Sequence, residues 1–338
     1  MGRKEAHPVM GKRILRRLTA SLATIFMIIT ISFLMVRFMP GNVMQHLIGQ
    51  EEYYYLMEAA PEQLEMLKEK YGLNGTIGEQ YIRYLKCVVT LDFGISYGNK
   101  LPVAQTVGAA CRWTLVLSIP ALILGGLLGG LLGVFAGWNP GKPFDMILTP
   151  IALFVDTLPS NCIGVLVLVV FAFKLRWFPI SGMVSGTETD FWKYILDVLR
   201  HAALPLGIII LYRIAGDFIL MKSCISQIRN EEYIITARAK GLSDKKVLLR
   251  HVLKNALLPY ITSMCMQMGH LLSGSMIIET IFGWKGMGKL FYDAVSNRDY
   301  PTAQLCFLIS ASCVVTANLF SDILITFIDP RIKEKVRA

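Results

Sequence analysis

Charged side chains are scarce in this sequence, and acids are scarcer than bases. Only 17% of the 338 residues are Asp, Glu, Lys or Arg, where a soluble domain carries about 25%. Apolar residues make up 54% and the mean hydropathy is +0.51. That is more apolar surface than one soluble core absorbs, so the chain reads as an all-α integral membrane protein. Organised cysteine is also lacking. The seven (Cys87, Cys111, Cys162, Cys224, Cys265, Cys306 and Cys313) contain no C-x-x-C pair. A zinc site and a disulfide framework are thereby excluded, and the thiols read as small packing residues. Only Cys87 and Cys111 fall in a segment placed outside the membrane, and no spacing rule demands that they pair.

What charge there is comes to a net +10, with 34 Lys and Arg against 24 Asp and Glu. It collects beside apolar runs, the pattern of a topology signal rather than of a nucleic-acid surface. A membrane helix needs about 20 mostly apolar residues. Six stretches qualify: 14–36, 113–137, 145–173, 202–222, 256–281 and 302–328. The first follows Arg13, Arg16 and Arg17 as a signal peptide would. Its apolar part is longer than a signal core and no A-x-A-like site follows it, so it is expected to be a retained helix. Basic segments lie at the start, between the fourth and fifth stretches, and at Arg331–Arg337. Six crossings put all three on one side, which makes both termini cytoplasmic. The chain then divides into 1–36 (tail and first helix), 37–112 outside, 113–328 as a five-helix core with a cytoplasmic loop at about 223–256, and a tail over 329–338.

The outer region is polar by comparison. Leu56, Leu64, Leu67 and Tyr71 recur at roughly helical spacing, Pro61 suits a helix start and Gly72 a helix end. A small helical insertion is expected there. The loop near 223–256 holds six bases between Glu231 and Tyr260: Arg238, Lys240, Lys245, Lys246, Arg250 and Lys254. Glu231 to Lys240 suits a helix with Gly241 as its stop. Ser243 is placed to cap a second helix, with Asp244 in its first turn. Val247, Leu248, Leu249, Val252 and Leu253 form its apolar stripe, and Pro259 marks the start of the next span. Charge alone leaves two readings open: a helix lying on anionic membrane lipid, or an element that docks on a partner.

The residues of this loop shift the balance toward docking. A-R-A-K-G-L, the basic stretch and N-A-L-L-P resemble the cytoplasmic loop of ABC importer permeases, and within them the dipeptide, oligopeptide and nickel family. Other segments match in order: R-F-M-P-G (Arg37–Gly41), D-F-G-I-S-Y (Asp92–Tyr97), H-A-A-L-P (His201–Pro205), E-T-I-F-G-W-K-G-M-G (Glu279–Gly288), R-D-Y-P (Arg298–Pro301) and D-P-R (Asp329–Arg331). Ile235 stands where the general importer motif has Glu, and Lys285 where the family usually has Pro. The resemblance implies a type I importer permease fold with six transmembrane helices. It also implies a second homologous permease, two cytoplasmic ATPase subunits and an extracytoplasmic binding protein. Peptides lead as cargo, with nickel or a metal chelate as the alternative. Tyr233, Ala237, Ala239, Gly241 and Leu242 would be the contact and turn residues of the coupling loop.

No cofactor site is expected in the chain itself; ATP and magnesium belong to the partner subunits. Gly283–Lys289 has phosphate-loop spacing, but Leu290 replaces the Ser or Thr that would hold magnesium. Ionisable groups within spans are functional candidates by default. Arg213 and Asp217, spaced i, i+4, can pair on one face. Asp156, three residues before Pro159, either lines a pathway with Asn161 or pairs with Arg213. Gln267 and His270 share a helix face and could meet a polar pathway. The Met and Cys run at 264–268 reads as packing, since adjacent residues point around a helix. His270 and Ser273 alone do not make a hydrolase, for no orienting group or oxyanion donor can be named. Gly125, Gly126, Gly129, Gly130 and Gly133 suit close helix packing.

Overall fold

The computed structural model describes residues 6–37, 43–70, 72–186 and 190–328. Among them the regular elements are helices. A long α1 (Ala6–Arg37) leads to four short ones: α2 (Val43–Ile48), α3 (Gln50–Ala59), α4 (Pro61–Lys70) and α5 (Ile77–Thr90). Then come α6 (Val103–Trp138), α7 (Pro143–Thr157), α8 (Ser160–Val167, continued by wide π turns to Lys174) and α9 (Phe191–Arg229). The chain closes with α10 (Glu232–Ala239), α11 (Asp244–Val247, again with π turns to Val252), α12 (Leu253–Met268), α13 (Met276–Ile281), α14 (Met287–Ser296) and α15 (Tyr300–Ile328).

Four helices, α1, α6, α9 and α15, are continuous, long and apolar enough to cross a membrane. Two expected spans are interrupted. The 145–173 stretch is α7 and α8, bent by 96° at Leu158–Pro159. Proline lacks the N–H that would continue the ladder, and at the break the Tyr212 hydroxyl donates to the Leu158 carbonyl at 2.8 Å. The 256–281 stretch is corrected more sharply. α12 ends at Met268, turns follow, and α13 is a separate short helix. Gly269 and Gly274 punctuate the break, Gly274 with a φ of +64°. Pro259 lies inside α12 rather than at its start. α6 begins at Val103, within the expected outer region, and α9 runs on to Arg229.

The centre of the fold is α6 against α9, and glycine explains it. Gly129, Gly133 and Gly137 recur every four residues, so they share one helix face. A Cβ at Gly129 would lie 2.8 Å from the Ile214 carbonyl oxygen, at Gly133 2.7 Å from that of Phe218, and at Gly137 2.8 Å from that of Lys222. Backbone therefore rests on backbone. Gly126 and Gly130 turn toward α12, where the Tyr260 hydroxyl donates to the Gly126 carbonyl at 2.6 Å.

Polar pins gather at the two ends of this bundle. At one end the Asp299 carboxylate, 4% exposed, accepts from Ser96 Oγ at 2.5 Å, Tyr97 N–H at 3.0 Å and Thr302 Oγ1 at 2.8 Å. Nearby, buried Glu279 accepts from Thr114 Oγ1 at 2.9 Å and Lys289 N–H at 3.0 Å. The Trp284 indole, fully buried, donates to the Trp113 carbonyl at 2.9 Å. Gly182 N–H reaches the Phe282 carbonyl at 3.0 Å at this same end. At the other end Arg17 pairs with Asp322 at 2.6 Å and Lys222 with Asp145 at 2.5 Å. Arg238 lies over the Trp138 ring at 5.1 Å.

The expected helical insertion is α2–α5. Leu56 and Leu64 are buried together with Met44, and Leu67 packs on them; Tyr71 lies outside the described residues. Pro61 opens α4 as anticipated, but Ala60 separates it from α3. Thr76 and Glu79 close a capping box on α5. Cys87 and Cys111 stay free thiols against one apolar cluster, and burial, then the nearby Asp92 carboxylate, pushes the Cys87 thiol up from its ordinary range.

Two outcomes follow for stability in detergent. Gly129→Val drives a branched side chain into the α9 backbone and is expected to cost about 2 kcal/mol, read as a lower thermal midpoint. Asp299→Ala strands the donors of Ser96, Tyr97, Gly98 and Thr302 and should cost about 3 kcal/mol, with Asp299→Asn, which keeps an acceptor oxygen, losing less.

Candidate functional site

The loop between α9 and α12 has an inner and an outer face. Ile234, Ala237, Val247, Val252 and Ala256 are buried and close over Met221 and Ile225 of α9. This local core holds α10 and α11 against the end of the bundle. Tyr233, Ile235, Leu242 and Leu249 remain exposed, Ile235 by 61% and Leu249 by 57%. Exposed apolar side chains concentrated on a basic loop are what a docking element presents.

Each residue named from the sequence takes a definite place. Tyr233 is exposed, and its hydroxyl is held by the Asn255 amide at 2.9 Å. Ala239, Gly241 and Leu242 are exposed. Ala237 is not; it is 7% exposed and faces inward, so it supports the loop instead of offering a contact. Gly241 has a φ of +78° with nothing within 4 Å of a Cβ built there. The demand for glycine is therefore one of backbone conformation alone. Ser243 stands at the N-cap of α11, but its hydroxyl makes no capping bond. Asp244 is in the first turn as expected and pairs with Arg238 at 3.6 Å.

Arg238 does more than pair. Its guanidinium lies 5.1 Å from the centre of the Trp138 ring, and Arg229 lies 5.9 Å from it. Trp138 ends α6, Arg229 ends α9 and Arg238 lies in the last turn of α10, so one indole joins three helices through cation–π contacts. Nothing in the linear pattern singled out Trp138 or Asn255.

The polar residues within the helices do not form one cluster. Asp217 is 2% exposed, yet Arg213 makes no ion pair with it, contrary to the i, i+4 expectation. The Gln267 amide reaches Asp217 Oδ1 at 3.2 Å in its place. Asp217 Oδ2 and Gln267 Oε1 are buried without partners. Asp156 and Asn161 are exposed on either side of the Leu158–Pro159 break, and Arg213 is half-buried. No ion pair joins Asp156 to Arg213. His270 lies beyond α12 and lines a cleft of about 310 Å³ with Ser273, Cys306 and Ser310, apart from Gln267. No side-chain hydrogen bond links His270 to Ser273. Cys265 is buried while Met266 and Met268 are exposed, so these sulfurs share no centre.

The glycine loop at 283–289 closes on an acid rather than on an anion. Its Gly288 and Lys289 N–H groups are spent on the Glu279 carboxylate. A Cβ at Gly288 would lie 2.7 Å from the Met276 Cα, so the motif's glycines serve packing. Motif residues outside the loop are likewise structural: Asp299 of R-D-Y-P binds Ser96 of D-F-G-I-S-Y across 203 residues. His201 of H-A-A-L-P holds the Asp197 carbonyl at 2.8 Å. R-F-M-P-G falls mostly, and D-P-R wholly, outside the described residues.

Comparison with known proteins accounts for this arrangement. The family described as binding-protein-dependent transport system inner membrane component matches residues 129–334, and its N-terminal counterpart matches 10–118. The oligopeptide transport system permease protein AppB of Bacillus subtilis is 34% identical over 96% of this chain and 100% of its own length. The dipeptide transport system permease protein DppB of Alkalihalophilus pseudofirmus is 31% identical over 94% and 98%. The glutathione transport system permease protein GsiC of Escherichia coli K12 is 31% identical over 95% and 99%. The chain belongs to the family of inner-membrane components of binding-protein-dependent transport systems.

Proposed function

We propose that this chain is the peptide-conducting permease of an ATP-driven importer and crosses the membrane six times, with both termini in the cytoplasm. The pins at the bundle's two ends support that count. Trp138, Asp145, Lys222 and Arg238 lie at one end, with Arg17 and Asp322 pairing there as well. Ser96, Thr114, Gly182, Glu279 and Asp299 lie at the other. Between them the chain passes through α1, α6, bent α7–α8, α9, α12 and α15. The basic loop falls at the first end, which is the cytoplasmic side by the positive-inside rule. The α2–α5 insertion and the α13–α14 segment face outward.

The observation that carries the function is the loop: an exposed apolar face set on a closed core and tied by one indole to two spanning helices. It is built to receive force from a partner and pass it on. The partners are two ATPase subunits below, a second permease beside the chain, and a binding protein above. ATP-driven closure of the ATPases would move α10, and α6 and α9 would follow through Trp138, opening the pathway outward. The printed names of the relatives, oligopeptide, dipeptide and glutathione permeases, support peptides as cargo over a metal chelate.

Two measurements test this. Pull-down of the tagged chain from native membranes in mild detergent should bring down a second permease and ATPase subunits; isolation alone would overturn the docking role. In proteoliposomes containing the full transporter, Gly241→Val forces a branched residue to a positive φ, at a cost of about 1–2 kcal/mol. Uptake should fall about tenfold while ATP hydrolysis persists, and Gly241→Asn, which tolerates this conformation, should retain coupling. Normal coupling in the Val variant would count against the loop.

A further inference from the structure

A cleft of about 420 Å³ lies between the start of α6 and α14, at the end of the bundle that carries Glu279. Small-ligand pockets measure about 300–1,000 Å³. Its walls are mostly apolar, from Leu101, Ala109, Trp113, Met183 and Leu290. Polar side chains are few, and most are engaged. Lys289 pairs with Asp293 at 2.8 Å. The Asn99 amide donates to Thr106 Oγ1 at 3.1 Å and accepts from the Leu101 N–H at 3.0 Å. Two side chains remain, Gln105 and Lys285, both exposed and with no hydrogen bond or ion pair among the described residues. Two lysines against one aspartate leave the cleft with a net positive charge.

The surrounding fold holds these walls in place. The Trp113 carbonyl accepts from the Trp284 indole, and the two rings stand edge to face with centres 5.5 Å apart. The turn that carries Lys285 is anchored by Glu279, which accepts from the Lys289 N–H, and by Thr114, whose hydroxyl accepts from the Met287 N–H at 2.7 Å. With those backbone donors spent inside the protein, what the turn offers an anion is the Lys285 ammonium, a point charge on a flexible stem. An ammonium beside an indole and aliphatic walls suits a carboxylate next to an apolar side chain. The same cleft has no free acid for an amino group, because Lys289 reaches both oxygens of Asp293.

We propose that this cleft is an entry subsite for the carboxyl-terminal residue of a peptide, with the carboxylate on Lys285 and the side chain against Trp113, Met183 and Leu290. This rests on the reading of the chain as a peptide permease and goes beyond it by assigning a site and the end of the cargo that it takes. Every unmodified peptide carries that carboxylate, so the contact serves cargo of varied sequence.

The test uses the whole transporter in nanodiscs, without nucleotide or binding protein. The probe is Ala-Ala-Phe bearing a benzophenone on its last ring, photolysed and mapped by mass spectrometry of the digested chain. Labels should fall within 99–113, at Met183 or within 285–293. Amidating the carboxyl terminus, or Lys285→Gln, should cut that labelling about fivefold, the effect of one partly screened ion pair. Lys285→Arg should keep it, and N-acetylation of the probe should change nothing. Lys285 is exposed, so neither variant threatens folding. Labelling elsewhere, or labelling of the cleft that is indifferent to amidation, overturns the proposal. Unchanged labelling in Lys285→Gln together with weaker association of the binding protein also overturns it and assigns the lysine to docking of that protein. Uptake of Ala-Ala-Phe into proteoliposomes by the complete system, binding protein included, separately tests the peptide reading. Uptake without labelling of the cleft rejects the subsite alone, and absence of uptake overturns both.

Discussion

The approach of α6 to α9 is the constraint on which the rest of the structure depends. Within a membrane there is no hydrophobic drive between helices, since lipid is as apolar as leucine. Association must come from packing and from polar contacts. Gly129, Gly133 and Gly137 remove side chains from one face, and the α9 backbone occupies the space. The same approach brings the ends of α6 and α9 to one place. Trp138 can then stack with Arg229 and Arg238, and Lys222 can reach Asp145. The contact between the loop and the ends of α6 and α9 thus depends on glycine spacing within α6.

At the opposite end, two buried carboxylates organise chain segments that are far apart in sequence. A buried acid is expensive unless its lone pairs are satisfied. Asp299 and Glu279 meet that condition with hydroxyl and backbone donors from the segment before α6, from α6 itself and from the α14 start. They tie short helices together at that end, while the basic loop at the other end keeps apolar residues exposed.

Much of this was legible in linear order, and the exceptions are physical. The α10–Gly241–α11 arrangement followed from local propensity, with a glycine where the backbone must take a positive φ. The close-packing role of the glycines also followed from their spacing. Ala237 was expected as an outward contact and is buried, because which face of α10 turns inward is set by Ile225 and Val252, not by α10. Arg213 and Asp217 have the right spacing to pair but make no direct contact, and the hydrogen bond that Asp217 does make comes from Gln267 on α12. The 256–281 run is mostly apolar, yet it breaks at Gly269, which packs where a Cβ would meet the Val314 Cα of α15 at 2.9 Å.

Apolar length, the side on which basic residues fall and the turn preferences of glycine and proline are properties of neighbouring residues. The sequence by itself therefore determined that the chain is helical and membrane-embedded, where its main apolar helices lie, and that a basic helix–glycine–helix loop joins two of them. Tertiary structure alone decided which motif residues hold the fold and which remain free. Asp299 and Glu279 find their donors on other elements, and Trp138 at the end of α6 finds its cations on α9 and α10. Whether a polar group is satisfied depends on what packing brings within hydrogen-bond reach, and that distance is not encoded in any local stretch of the chain.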